Sequence, residues 1–230
     1  MKDNLTVEKT VPAAASDSFE LSIVERQAEE VILARENPVS DRLVVKRWHQ
    51  PVHYKVYGSF APVDDSAVAK NINEFCTQLS KIIGLEVSKA EHDSVANFFI
   101  IVGDLEAFRA KIPSEAYNYF KPITSSGYYY NSSDSGFTWA AGFINTESLT
   151  TYEKVRPVVQ QLILKGLGFF GHLNDKGSLF YSGRAPLPTG INNADAEIME
   201  TLYNDSIRSG MSKAELEATL IKRRKIRSGK

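Results

Sequence analysis

Four histidines and one cysteine are the residues of this 230-residue chain best suited to metal binding or nucleophilic chemistry. His49 and His53 stand four apart, a spacing that puts two imidazoles on one face of a helix and around one metal ion. Pro51 lies between them, however, and Val52 to Gly58 alternates as a strand. Positions four apart in a strand are roughly 13 Å from each other, so the pair reads as surface or edge histidines. His92, between Glu91 and Asp93, reads as a solvated loop residue. Cys76 falls on the apolar side of a helical pattern, beside Phe75, and reads as a small buried hydrophobe. A lone cysteine excludes an intramolecular disulfide and any multi-cysteine zinc or iron–sulfur site. Ser182-Gly183, Gly127, Gly136 and Gly142 are isolated and form no phosphate loop, dinucleotide fingerprint or nucleophile elbow. No cofactor is expected.

Two further sets of side chains are suited to binding rather than chemistry. Tyr128, Tyr129 and Tyr130 precede Phe137 and Trp139 across a turn-rich segment, Asn131 to Gly136. Alternation in a hairpin turns about half of such rings outward, where they can anchor a protein or glycan partner; cross-strand packing accounts for them equally well. Lys222, Arg223, Arg224, Lys225, Arg227 and Lys230 put six positive charges into the last nine residues. This basic tail suits an anionic partner surface or the carbonyl end of a helix. The whole chain is close to neutral, with 27 Lys+Arg against 28 Asp+Glu. That balance, and the lack of a nucleic-acid motif, argue against a dedicated nucleic-acid binder.

These residues must be held by an ordinary globular scaffold. The chain is 43% hydrophobic and 24% charged, and long enough to bury a core without staples. Its longest apolar runs, such as Phe98 to Val102, are too short to span a bilayer. Residues 1–20 read as a flexible lead-in with no leader-like apolar stretch. Leu21 to Glu36 carries a helical stripe (Ile23, Val24, Gln27, Val31, Ala34) ended by Asn37-Pro38, and reads as a helical appendage over 21–40. The main domain spans 41–220 and the basic tail 221–230. Strands are expected at 43–48, 52–58, 85–88 and 97–103, the last buried on both faces. A hairpin joins Gly127–Tyr130 to Phe137–Ile144. Helices are expected at 64–84, 104–111, 114–120, 150–168, 192–206 and 212–226, with a long loop over 169–191. The pattern is α+β: a mixed, mostly antiparallel sheet with helices packed on it.

Four ordered stretches carry a family resemblance. They are Arg47-Trp48 with Pro51-Val52 and Val56-Tyr57-Gly58; Ala96-Asn97 leading into Phe98 to Val102; Leu167-Gly168 followed by Leu173-Asn174-Asp175 and Ser178-Leu179-Phe180; and Asp195 leading to Leu202-Tyr203-Asn204-Asp205 and Gly210-Met211-Ser212. Over roughly residues 42–220 the chain resembles the bacterial family called domain of unknown function 2927. The resemblance implies a zincin-like core related to metallopeptidases, and an exported setting in a bacterial envelope or outside the cell. With no leader in the sequence, a cytoplasmic location stands as the other reading. In peptidases of this fold the strand ahead of the metal helix pairs with extended substrate, and Phe137 to Ile144 holds that place by resemblance.

A zincin helix presents two imidazoles four apart and a glutamate beside the first. If Gly168 is the turning glycine, Gln161 and Lys165 stand at the two ligand places and Leu162 at that of the base. An amide ligates zinc poorly, an ammonium repels it, and an alkyl group takes no proton. His172 falls one residue late for a third ligand. Relatives tend to carry Glu-Glu-x-x-Gln and a cysteine pair here, which this chain lacks. The segment reads rather as a packed helix with Val158, Val159, Leu162, Ile163, Gly166 and Leu167 on its core face, and Gln161 and Lys165 on a neighbouring polar stripe. The expectation is a degenerate metallopeptidase scaffold with no metal and no catalytic residues, serving as a structural or protein-interaction component. Its vestigial cleft is expected at Gln161, Lys165, His172 and Asp175. A hydrolase using those four residues, or a cytoplasmic adaptor, are the alternatives.

Overall fold

The computed structural model describes residues 21–35, 41–133, 136–147, 149–181, 188 and 190–229. The lead-in, the Asn37-Pro38 stop and Ser182-Gly183 lie outside the described residues, as do Lys230 and the Arg227 side chain.

Strand β3 (Val52–Gly58) enters helix α2 (Asp65–Ile83), which returns to β4 (Val87–Lys89) and then β5 (Phe98–Val102). Helix α2 starts where Asp64 accepts the Ser66 N–H at 2.8 Å and stops at Gly84, whose φ of 65° suits glycine. Its buried stripe is Val68, Ile72, Phe75, Cys76, Leu79 and Ile83, close to the stripe expected. Helix α3 (Ser114–Phe120) leads to the hairpin β6 (Ser126–Ser133) and β7 (Gly136–Ile144), and helix α4 (Tyr152–Gly166) follows.

The five strands form one sheet in the order β4-β3-β5-β7-β6. The α+β class and mixed sheet are as read from sequence; the predominance of antiparallel pairing is not. β3 pairs in parallel with β4 and β5, and β5 in parallel with β7; β6–β7 is the antiparallel ladder. A 19-residue crossover helix between β3 and β4 brings the chain back in the same direction. A continuous apolar run such as Phe98–Val102 is characteristic of parallel strands covered on both faces.

One sheet face carries the larger core, with α2, α4 and the remaining helices; α3 covers part of the other, around Ile101, Phe120 and Phe143. Helix α1 (Ile23–Ile32) is no appendage. A capping box between Ser22 and Glu25 starts it, and Ala28, Val31 and Ile32 are buried in the larger core. Ile23, which the expected stripe put inside, is 72% exposed. The strand after it, β1 (Leu33–Arg35), pairs with β2 (Leu43–Val45) in a separate antiparallel ribbon.

Helices α5 (Asn193–Leu202) and α6 (Lys213–Arg227) complete this layer. The Arg47 guanidinium donates through Nη1 to the carbonyls of Leu202, Asn204 and Ile207 at 2.8–3.0 Å, satisfying the end of α5. Trp48 Nε1 donates to Gly166 O, and Tyr203 Oη to Leu167 O. Buried Asp195 accepts from Ser178 Oγ at 2.5 Å and from Leu179 N at 2.9 Å. Residues from three of the four segments that carry the family resemblance thus close helix ends and tie down the 173–181 loop.

Candidate functional site

Helix α4 lies close on the sheet because β7 offers a glycine beneath it: a Cβ on Gly142 would stand 1.9 Å from Leu162 Cδ2. Val155, Val159, Leu162, Ile163 and Gly166 form the buried side. Gln161 and Lys165, one turn apart, are half-buried on the stripe facing β6. A cavity of about 260 Å³ opens between the two elements, lined by Tyr119, Ile123, Ser126, Tyr128, Gln161 and Lys165.

Each polar group of the expected zinc frame has a different engagement. Gln161 Nε2 donates to Tyr181 O at 3.3 Å. The Lys165 ammonium sits 5.0 Å from the centroid of the Tyr128 ring, a cation–π geometry. Burial lowers the Lys165 pKa and pushes the Tyr128 phenol up to about 12. His172 faces the same wall as Gln161 and Lys165; its pKa is lowered, first by burial and then by the Lys165 charge. Asp175 is separate. It accepts from Gly177 N at 2.8 Å and lines a depression on the α1 side, with Ile23, Arg26 and Glu30. Three of the four expected cleft residues are therefore brought together.

The aromatic set divides between the two faces of the sheet. Tyr128, Tyr130 and Phe137 lie on the α4 side, where Tyr130 packs 5.2 Å from both Phe137 and Phe170 and Tyr128 lies 5.5 Å from Phe170. Phe137 is core. Tyr129 and Trp139, 5.6 Å apart, are half-buried on the other face, and Tyr119 packs on Tyr129.

The substrate-pairing edge expected at Phe137–Ile144 is also relocated. β7 is internal, between β5 and β6; the edge strand is β6. The Asn145 N–H donates to Ser125 O, which fixes the alternation of the antiparallel ladder. Ser125, Gly127 and Tyr129 turn their main-chain groups toward β7, and Ser126, Tyr128 and Tyr130 turn theirs outward beside the cavity.

The other candidates are placed elsewhere. His53 Nδ1 lies 3.0 Å from Ser88 Oγ; His49 and His92 are exposed. Cys76 is buried, and desolvation pushes its thiol up to about 12. Among the described residues, no group of three or more His, Cys, Asp and Glu side chains is arranged to hold a metal ion, and no helix is long and apolar enough to cross a membrane. Lys222 to Arg227 lie in the last turns of α6, the helix expected over 212–226, and Arg224 Nη1 reaches back to Glu25 at 3.4 Å. A second groove, between β3 and α2 around Tyr54, Val56 and Lys89, is absent from the sequence reading. The seven-residue β3 beside a strand of about four residues was its signal.

Fold and cleft define an α+β protein in which β6, with no further strand beside it among the described residues, runs beside a helix-walled cavity. The chain belongs to the family described as protein of unknown function, DUF2927, whose model matches residues 23–222. The match takes in α1, beyond the 42–220 span of the resemblance, in keeping with that helix's place in the core. Comparison with curated proteins gives no match.

Proposed function

We propose that the protein is a non-catalytic interaction component of an exported bacterial assembly, and that the β6 edge receives an extended segment of a protein partner by strand addition. The observation that carries this reading is the edge itself: outward main-chain groups at Ser126, Tyr128 and Tyr130 border a cavity walled by Gln161 and Lys165. Strand addition draws affinity from such main-chain groups and specificity from adjoining pockets. The residues at the ligand places of a zincin frame favour binding over hydrolysis: an amide committed to a carbonyl and an ammonium against a phenol ring supply neither ligands nor a base. The zincin-like relationship belongs to the same proposal. It draws support from a helix that follows the strand next to the antiparallel edge and packs across the sheet. The exported setting rests on the family resemblance alone.

The test is selection from a random-peptide display library on the full chain, followed by titration of the selected peptides. Wild type is expected to bind them without cleavage by mass spectrometry. Ser126→Pro removes an outward N–H at an exposed strand start, where proline is tolerated, and is expected to weaken binding about tenfold, the size of one net hydrogen bond. Undiminished binding in that variant, or cleavage abolished by His172→Ala, would overturn the reading.

A further inference from the structure

Among the described residues, the outer lane beside β3 is filled for only part of its length. β4 is in register with Val52, His53 and Tyr54 and no further. Val52 N–H donates to Glu86 O, and Ala90 N–H to Tyr54 O, each at 2.8 Å. Val52 and Tyr54 therefore point their main-chain groups into this lane, and alternation points Val56 and then Gly58 the same way. Past Ala90 the chain leaves for the opposite sheet face, where Lys55 Nζ meets Glu91 O at 3.5 Å and Asp93 at 3.4 Å. No described strand follows it in the lane.

Helix α2 roofs the vacated half. The space between is about 440 Å³, lined by Tyr54, Val56, Phe60, Ala69, Ile72 and Lys89, within the range of ligand pockets. Tyr54, Phe60 and Ile72 are core residues that show an edge here, while Ala69, Asn73 and Lys89 are exposed at the rim. The Tyr54 hydroxyl has no hydrogen-bond partner among the described residues, and burial raises its pKa, which keeps it a donor. Lys89 is in register with Tyr54, so its side chain stands on the α2 side, and it forms no ion pair among the described residues.

We propose that this half-lane binds the C-terminal end of a partner polypeptide as a short added strand antiparallel to β3. Ala90 closes the lane at the Tyr54 end, so an incoming strand enters past Gly58 and stops against Lys89. A chain end that stops beside Lys89, whose ammonium forms no ion pair among the described residues, in a groove also lined by Asn73 and Tyr54, is matched by a carboxylate. The residue opposite Val56 turns its side chain into the well between Val56, Phe60 and Ile72, which calls for an apolar group. Main-chain recognition on Val56, an apolar well and a terminal carboxylate together specify an apolar C-terminus. This site shares no residue with the β6 edge.

The test uses the full chain and an N-terminally labelled peptide, Gly-Thr-Ile-Val, with a free carboxyl end, beside the same peptide as its C-terminal amide. Fluorescence anisotropy is expected to show saturable binding of the acid, weakened at least about tenfold in the amide and in Lys89→Glu, the size of one charge-assisted hydrogen bond. Ala69→Trp, on the exposed side of α2, is expected to abolish binding with an unchanged melting curve; Ser126→Pro is expected to leave it intact. Amide-proton shift changes are expected to centre on Val56, Ala69 and Asn73. Equal affinity for acid and amide, binding that survives Ala69→Trp, or no saturation at the probe's solubility limit would each overturn the proposal. So would displacement by an equal concentration of hexanoate, which would assign the groove to small carboxylic acids.

Discussion

The clamp around Arg47, Trp48 and Tyr203 and the cleft between α4 and β6 use similar side chains in opposite ways. In the clamp, polar atoms are held inside the protein and most are matched to carbonyls at or just past helix ends: Arg47 Nη1 to Leu202, Asn204 and Ile207, Trp48 to Gly166, Tyr203 to Leu167, with Arg47 Nε left without a partner among the described residues. In the cleft, Gln161, Lys165 and His172 are half-buried or exposed, and Gln161 makes its hydrogen bond at 3.3 Å, near the limit of such contacts. A buried polar group without its partner costs a large fraction of a domain's stability, whereas a rim group costs little and stays available to a ligand. The Arg47, Trp48 and Tyr203 segments therefore report chiefly on how the fold is closed.

The sharpest way to break this contrast is to truncate one member of each region. Trp48→Ala removes a fully buried indole packed 5.4 Å from Phe137 and leaves Gly166 O unmatched; a loss of about 3–5 kcal/mol is expected. Gln161→Ala is expected to cost less than about 1 kcal/mol. Urea titration of both variants checks the pair. Equal losses would mean that the cleft is as structural as the clamp.

A smaller effect separates the regions by pH. His172 has its folded pKa lowered by burial and by Lys165, so the unfolded chain binds its proton more readily. Its contribution to stability is present above the unfolded value of about 6.5 and is lost as pH falls through that value toward the folded one. Melting temperatures between pH 8 and 5 are expected to fall less steeply in His172→Gln than in wild type. Parallel curves would mean that neither burial nor Lys165 disfavours the charged His172 in the folded chain.

The sequence disclosed what is local. The caps Asp64 and Gly84, the period of Val68 to Ile83, the doubly buried Phe98–Val102 and the turn-rich hairpin tip made α2, β5 and the β6–β7 hairpin legible. Strand order was less so, because parallel partners such as β3 and β5 are joined through a helix and a further strand, and nothing local marks their pairing. Helix α1 misled because its apolar stripe runs on to exposed Ile23, and nothing local shows that Val24, Ala28, Val31 and Ile32 meet the larger core. In the cleft, the frame on Gly168 placed Gln161, Lys165 and His172 together. Asp175 escaped it, since a loop turn ending in Gly177 sends its carboxylate toward α1. The edge at β6 follows from sheet order, which spacing along the chain does not encode.

The most direct test of the account is amide-proton shift mapping of the full chain with a display-selected peptide. Changes centred on Ser126, Tyr128 and Tyr130, with Gln161 and Lys165 following and the peptide intact at saturation, are the predicted result. A peptide consumed during the titration, or shifts confined to residues away from β6 and α4, would contradict it.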